Sequence, residues 1–131
     1  MPHQPLRAMI VEDEELTLML LRHILSRAGY EVVGQAENGK EAIAVARETQ
    51  PDFILMDFNM PIMNGSEATR EIMAERPVPI ILVTGYNDSN QVALSMEAGA
   101  CAYVVKPVNS ANLLPVIKRC FAPVEEDGRE Q

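Results

Sequence analysis

Ala8-Met9-Ile10-Val11-Glu12-Asp13 decides the fold: four apolar residues in a row, cut short by two carboxylates. A second run, Phe53-Ile54-Leu55-Met56, ends the same way in Asp57. Continuous apolar runs of this length read as strands buried on both faces of a parallel sheet, with tips that reach solvent. Two neighbouring tips would bring three carboxylates into one small volume. Like charges that close repel unless a cation neutralises them, and a hard divalent ion such as Mg2+ is the natural partner.

Two further runs end in complementary chemistry. Ile80-Ile81-Leu82-Val83 stops at Thr84, whose hydroxyl can donate to an anionic oxygen. Ala102-Tyr103-Val104-Val105 stops at Lys106-Pro107, which adds a compact positive charge. In open α/β sheets, ligands bind at the carboxyl ends of the strands. A nucleophile, a metal site, a hydroxyl and a cation converging there are what phosphoryl transfer requires.

Strand and helix patterns alternate five times, which predicts an α/β domain with a doubly wound parallel sheet covered by helices on both faces. The strands are expected at 7–12, 31–36, 52–57, 79–84 and 102–106, and the helices at about 14–28, 39–49, 65–75, 88–98 and 110–121. Asn38 and Asn64 stand as N-caps, with Glu41 and Glu67 at capping-box spacing. Gly29 and Gly99 mark helix ends, and Pro51, Pro77 and Pro79 fall in connections. Pro115 lies just beyond the first turn of the last helix, where a kink is expected.

The 131 residues suffice for one domain with a substantial core, and 47% hydrophobic content argues against disorder. A formal net charge of −8 disfavours direct nucleic-acid binding, which needs clustered Lys and Arg. No apolar run approaches the ~20 residues of a membrane span, and the start, Met1 to Pro5, lacks the regions of a signal peptide. A cytoplasmic location is therefore expected. Cys101 and Cys120 have no metal-ligand spacing and read as two reduced thiols packed as small hydrophobes. An EF-hand beginning at Asp57-x-Asn59 fails, because Ile62 stands at the sixth position and Ala68 at the twelfth.

The ordered pieces Val11-Glu12-Asp13, Met56-Asp57-Phe58-Asn59-Met60-Pro61-Ile62-Met63-Asn64-Gly65, Val83-Thr84-Gly85, Ala98-Gly99-Ala100 and Lys106-Pro107 resemble the receiver domain of two-component response regulators. The likeness extends from about Arg7 to Phe121, leaving 1–6 and 122–131 as flexible ends, the latter a candidate linker to an output domain. The resemblance implies a CheY-like, flavodoxin-like fold with strand order 2-1-3-4-5. It implies Asp57 as phospho-acceptor and Mg2+ held by Glu12, Asp13, Asp57 and the backbone carbonyl of Asn59. The family usually has aspartate where this chain has Glu12, whose extra methylene suggests a contact through water. Thr84 is implied to donate to a phosphoryl oxygen and Lys106 to pair with it across a cis Lys106-Pro107 bond. Tyr103 matches the switch aromatic, which turns inward when Thr84 moves. Tyr86 and Asn59 flank the path of attacking water, and a bulky ring at Tyr86 implies a moderated phosphoryl lifetime.

On helix 1, a spacing of 100° per residue places Thr17, Leu21, Ile24, Leu25 and Ala28 on the core face. Leu16, Met19 and Leu20 then remain outside, bordering the carboxylates, as a docking patch for a histidine kinase or histidine phosphotransfer domain. The resemblance also allows a phosphorylation-dependent dimer. The function expected is a signalling switch that catalyses only its own aspartyl phosphorylation and dephosphorylation and remodels the helix 4–strand 5–helix 5 face. A haloacid-dehalogenase-type phosphatase would need Asp-x-Asp on the first strand, which Glu12-Asp13-Glu14 lacks. A phosphorylation-independent, degenerate receiver acting as a binding module is disfavoured because the key positions are all chemically competent. The stretch from Ala98 to Phe121 also resembles receivers coupled to RNA-binding antiterminator domains.

Overall fold

Apolar runs that are buried on both faces need helices on both sides, and the chain satisfies this by alternating the two. The structure is a computed structural model that describes residues 5–58, 60, 62–85 and 89–121. Its strands are β1 (Arg7–Val11), β2 (Glu31–Ala36), β3 (Phe53–Asp57), β4 (Ile80–Thr84) and β5 (Ala102–Val105). Its helices are α1 (Glu15–Arg27), α2 (Gly39–Thr49), α3 (Gly65–Glu75), α4 (Ser89–Ala98) and α5 (Ser110–Cys120). The five strands are parallel in the order β2-β1-β3-β4-β5. All strand tips therefore point one way, and the connections between strands cross over as helices.

The strand alternation sorts side chains into two cores. Met9, Val11, Ile54, Met56, Ile80 and Leu82 pack with α2 and α3 through Ala42, Ala46, Ala68 and Ile72. Ala8, Ile10, Phe53, Leu55, Ile81 and Val83 pack on the other face with Leu21, Ile24 and Leu25 of α1 and Leu113 and Ile117 of α5. Each fully buried aliphatic side chain contributes about 1.5–3 kcal/mol of transfer free energy. At the amino-terminal edge of the sheet, Phe53 meets Tyr30 and Phe121 edge-on, with ring centroids 5.3 and 5.8 Å away. That edge is the one opposite the carboxylates.

The helix starts follow the asparagines. Asn38 accepts from the Glu41 amide, while the Glu41 carboxylate reaches past the cap to the Glu37 amide. Asn64 and Glu67 form the full reciprocal box. A third box, Asn109 with Asn112, opens α5 and was not anticipated. Its signal was present as Asn109-x-x-Asn112. Helix α5 runs through Pro115, which removes one amide from the ladder. On α1 the buried residues are Leu21, Ile24 and Leu25, whereas Thr17 is half-buried and Ala28 exposed. A helix lying on a twisted sheet touches it best at its middle, so the two ends of the expected face are lifted away.

The Cys101 and Cys120 expectation is corrected. The two are joined in a disulfide, with Cα atoms 6.4 Å apart. Cys101 immediately precedes β5 and Cys120 ends α5, so the strand-then-helix return brings them to one edge of the sheet. A separation of 19 residues carries no local signal for that meeting.

Gly65 holds the β3–α3 connection close to β3. Its amide donates to the Phe58 carbonyl at 3.0 Å. A Cβ there would lie 2.9 Å from Phe58 Cα and 3.0 Å from the Asp57 carbonyl oxygen, both rigid backbone atoms. Gly65→Ala should therefore lower stability by ~1–3 kcal/mol through overpacking. Urea unfolding measures this, and an unchanged midpoint would contradict the close approach.

Candidate functional site

Four parallel strands deliver their carboxyl ends to one edge, and the side chains there are polar although the strands are not. Asp57 ends β3 and is 3% exposed, and Thr84 ends β4 at 1%. Register places Asp57 beside Val83 and Thr84 beside Val105, so the tips of β3, β4 and β5 step together across the edge. Glu12 and Asp13 follow β1 directly. The Glu12 amide is fixed by the Ala36 carbonyl at 2.9 Å. Oxygen atoms from Glu12, Asp13 and Asp57 lie within 4.8 Å of one another.

Among the described residues, Lys106 faces this cluster. Lys106 Nζ lies 3.3 Å from Asp57 Oδ1. The Lys106 amide donates to the Thr84 carbonyl at 2.8 Å, which aligns the lysine with the end of β4. The Lys106-Pro107 peptide is cis, and Asn112 Nδ2 donates to the Pro107 carbonyl at 3.0 Å. Asn112 thus caps its own helix and steadies the turn that carries Lys106, a role the sequence reading did not give it.

The electrostatic cost falls mainly on Glu12. Burial, followed by the Asp57 charge, raises its pKa from 4.5 to about 7, against the opposing pull of the Glu14 amide and Lys106. Glu12 Oε2 accepts from the Glu14 amide at 3.1 Å, whereas Oε1 is buried with no hydrogen-bond partner. An unpartnered buried carboxylate oxygen is costly unless something fills its coordination. An all-oxygen donor set of three carboxylates suits a hard divalent cation such as Mg2+, so these residues fit the ion.

Tyr103 is 47% exposed on β5. Pro107 is placed as expected in the turn after β5. Asn59 and Tyr86 lie outside the described residues. Ile62, in the connection after Asp57, adopts φ 72° and is 74% exposed. A β-branched residue rarely takes that left-handed conformation, and nothing in the sequence pattern announced it. Leu16, Met19 and Leu20 are exposed on α1. Beside them a cavity of about 440 Å³ opens between Thr17, Leu20 and the Lys106–Val108 turn. No helix of the described residues is long and apolar enough to cross a membrane.

Comparison with known proteins agrees with this architecture. The family model of the response regulator receiver domain matches residues 8–118. The transcriptional regulatory protein PdtaR of Mycobacterium tuberculosis is 40% identical over 122 residues, covering 93% of this chain and 60% of that protein. The chain therefore spans about three fifths of the length of this relative. The chemotaxis protein CheY of Thermotoga maritima is 37% identical over 114 residues, covering 86% and 95% respectively. A solved CheY-like receiver domain protein from Methanospirillum hungatei matches with a TM-score of 0.84 at 34% identity, over 95% of this chain and 99% of that one.

The raised Glu12 pKa has a signed consequence for the metal-free protein. Between about 4.5 and about 7, the folded state holds a proton here that the unfolded state has released. The stability from this group is thus full below the unfolded value and is lost as pH rises through the folded one. Going from about pH 5 to about pH 8 should remove ~1–3 kcal/mol that the neutral isostere Glu12→Gln retains. Urea unfolding of both proteins in chelator would test it, and parallel pH profiles would refute the assignment.

Proposed function

The chain belongs to the response regulator receiver family of two-component signalling, and from that premise we propose that it is a phosphorylation-driven switch with Asp57 as acceptor. The observation that carries this reading is the carboxylate cluster within 4.8 Å, faced by Lys106 at 3.3 Å. Asp57 attacks the phosphorus of a phosphohistidine or a small phosphodonor. One P–O bond forms as the donor's bond to phosphorus breaks, and the donor departs with that electron pair. Glu12, Asp13 and Asp57 would hold Mg2+, with the Asn59 carbonyl added from the family resemblance. When bound, the ion supplies neutralisation of charge on the phosphoryl oxygens. Lys106 does the same from the opposite side, and its contact with Asp57 keeps the nucleophile oriented. Glu12 and Asp13 contribute unequally in this reading. Asp13 is the stronger ligand, and Glu12 acts through water.

The acyl phosphate then biases a two-state element. Thr84, buried one strand away from Asp57, moves its hydroxyl toward the new anionic oxygens. That movement vacates space into which the exposed Tyr103 ring turns. Because the displaced groups lie at the tip of β4 and within β5, the surface of α4, β5 and α5 changes most. A differential interaction of ~1–3 kcal/mol is sufficient for such a coupling. The phosphodonor approaches over α1, where Leu16, Met19 and Leu20 are 76%, 58% and 43% exposed and Leu20 lines the cavity against the Lys106 turn. A histidine kinase or histidine phosphotransfer domain fits that apolar rim.

Acetyl phosphate with Mg2+ should add one phosphoryl group, and Asp57→Asn should abolish it. Intact-mass spectrometry reads this, and a labelled Asp57→Asn protein would sink the assignment. Asp13→Asn should weaken Mg2+ binding on the order of tenfold, more than Glu12→Gln does, for the loss of one charged contact. Equal or reversed losses in a Mg2+ titration would overturn the ranking. With beryllofluoride, amide chemical shifts away from the site should change most in 89–98 and 103–113. Dominant changes in α1 and α2 would rule out the Thr84–Tyr103 relay.

A further inference from the structure

The disulfide is not isolated from the rest of the molecule. It closes one end of a groove of about 640 Å³ that Met96, Tyr103, Val105, Val116 and Arg119 also line. The groove lies along β5 and α5, and these two elements are tied at both ends. At the carboxylate end, Asn112 Nδ2 holds the Pro107 carbonyl at 3.0 Å. At the far end, Cys101 before β5 is bonded to Cys120 at the close of α5. The Cα separation of 6.4 Å is within the range that a disulfide spans without backbone movement. Cys101 is exposed and Cys120 half-buried, so the pair is within reach of a soluble thiol.

We infer that Cys101 and Cys120 form a thiol–disulfide exchange site whose redox state sets how firmly β5 and α5 are held around the groove containing Tyr103. The co-reactant is a dithiol. One of its thiolates attacks a cysteine sulfur, the Cys101–Cys120 bond breaks, and a mixed disulfide forms. The second thiolate then displaces that cysteine. Two protons end on the Cys101 and Cys120 sulfurs, and the dithiol, having given up two electrons, leaves as its own disulfide. Reduction removes the covalent tie between β5 and α5 at the far end, while the Cys101 amide still donates to the Ile80 carbonyl at 2.8 Å. The Asn112 tie at the other end is unaffected, so the loosening concentrates between Cys101 and Tyr103 and along the last turn of α5.

Tyr103 is two residues from Cys101, and its 47% exposure leaves the ring free to respond to the spacing of β5 and α5. The same groove would thus be adjusted from two poles, by chemistry at Asp57 and by the cysteine pair. The second control needs no phosphoryl group. It can be tested without phosphodonor or Mg2+, so its failure leaves the phosphorylation reading untouched.

The test equilibrates the whole chain in buffers spanning reduced to oxidised dithiothreitol, traps thiols by alkylation and reads the mass. The expected result is one two-electron transition between zero and two alkylated cysteines, with the chain remaining a monomer. The reduced protein should melt about 5–15 °C lower, as expected for opening a loop of this size. Amide shifts between the two forms should be largest in 101–105 and 116–121. The Cys101→Ser/Cys120→Ser double variant should show no dithiothreitol dependence in melting or shifts. Full alkylation of both cysteines at every ratio, a disulfide between chains, or a dithiothreitol effect that persists in the double variant would each overturn the inference.

Discussion

Three carboxylates cannot sit within 4.8 Å of one another in a largely buried place without a positive charge, and the rest of the domain is arranged around that requirement. Lys106 meets part of it from β5. Burial, and after it the Asp57 charge, push the Glu12 carboxyl up to about 7. A divalent cation would meet the remainder. The site is therefore a frustrated cluster held in place by apolar strands. A hydrophobic sheet buried on both faces supplies the rigidity to keep such charges together.

The sheet that confines the charges also separates roles. Strand bodies belong to the two cores, and strand tips carry the carboxylates, Thr84 and the approach to Lys106. Relatives of comparable identity differ in role, one a transcriptional regulatory protein and another a chemotaxis protein. A common fold hosts many roles, so likeness of fold does not carry one relative's role over to another.

The sequence displayed the scaffold well because its signals were local. Four apolar runs ended in polar residues, and the spans of β2, α2 and α3 were located to the residue; asparagine caps mark the starts of both helices. The other four strands are each shorter than expected by one residue at one end. Glu12, for instance, leaves the strand to point into the cluster. The acidic residues and Lys106 could be singled out because each stands at a strand tip, where charge is conspicuous. What stayed hidden was non-local. The Cys101–Cys120 pairing exists only because a strand and the following helix return to the same edge. The Asn112 tie to Pro107 requires a helix start to lie against a turn five residues earlier. The left-handed Ile62 runs against its own backbone preference, and a propensity argument points away from it.

The aromatic contact at the bottom of the sheet gives the domain a polarity. Phe121, the residue that closes the α5 end, stacks edge-on against Phe53 at the first position of β3, and Asp57 occupies the last. A five-residue strand spans roughly 17 Å, so chemistry and this anchor occupy opposite ends of one rigid rod. The carboxylate edge and the close of α5 are thus held a full strand length apart, insulated from each other by the core packed along β3.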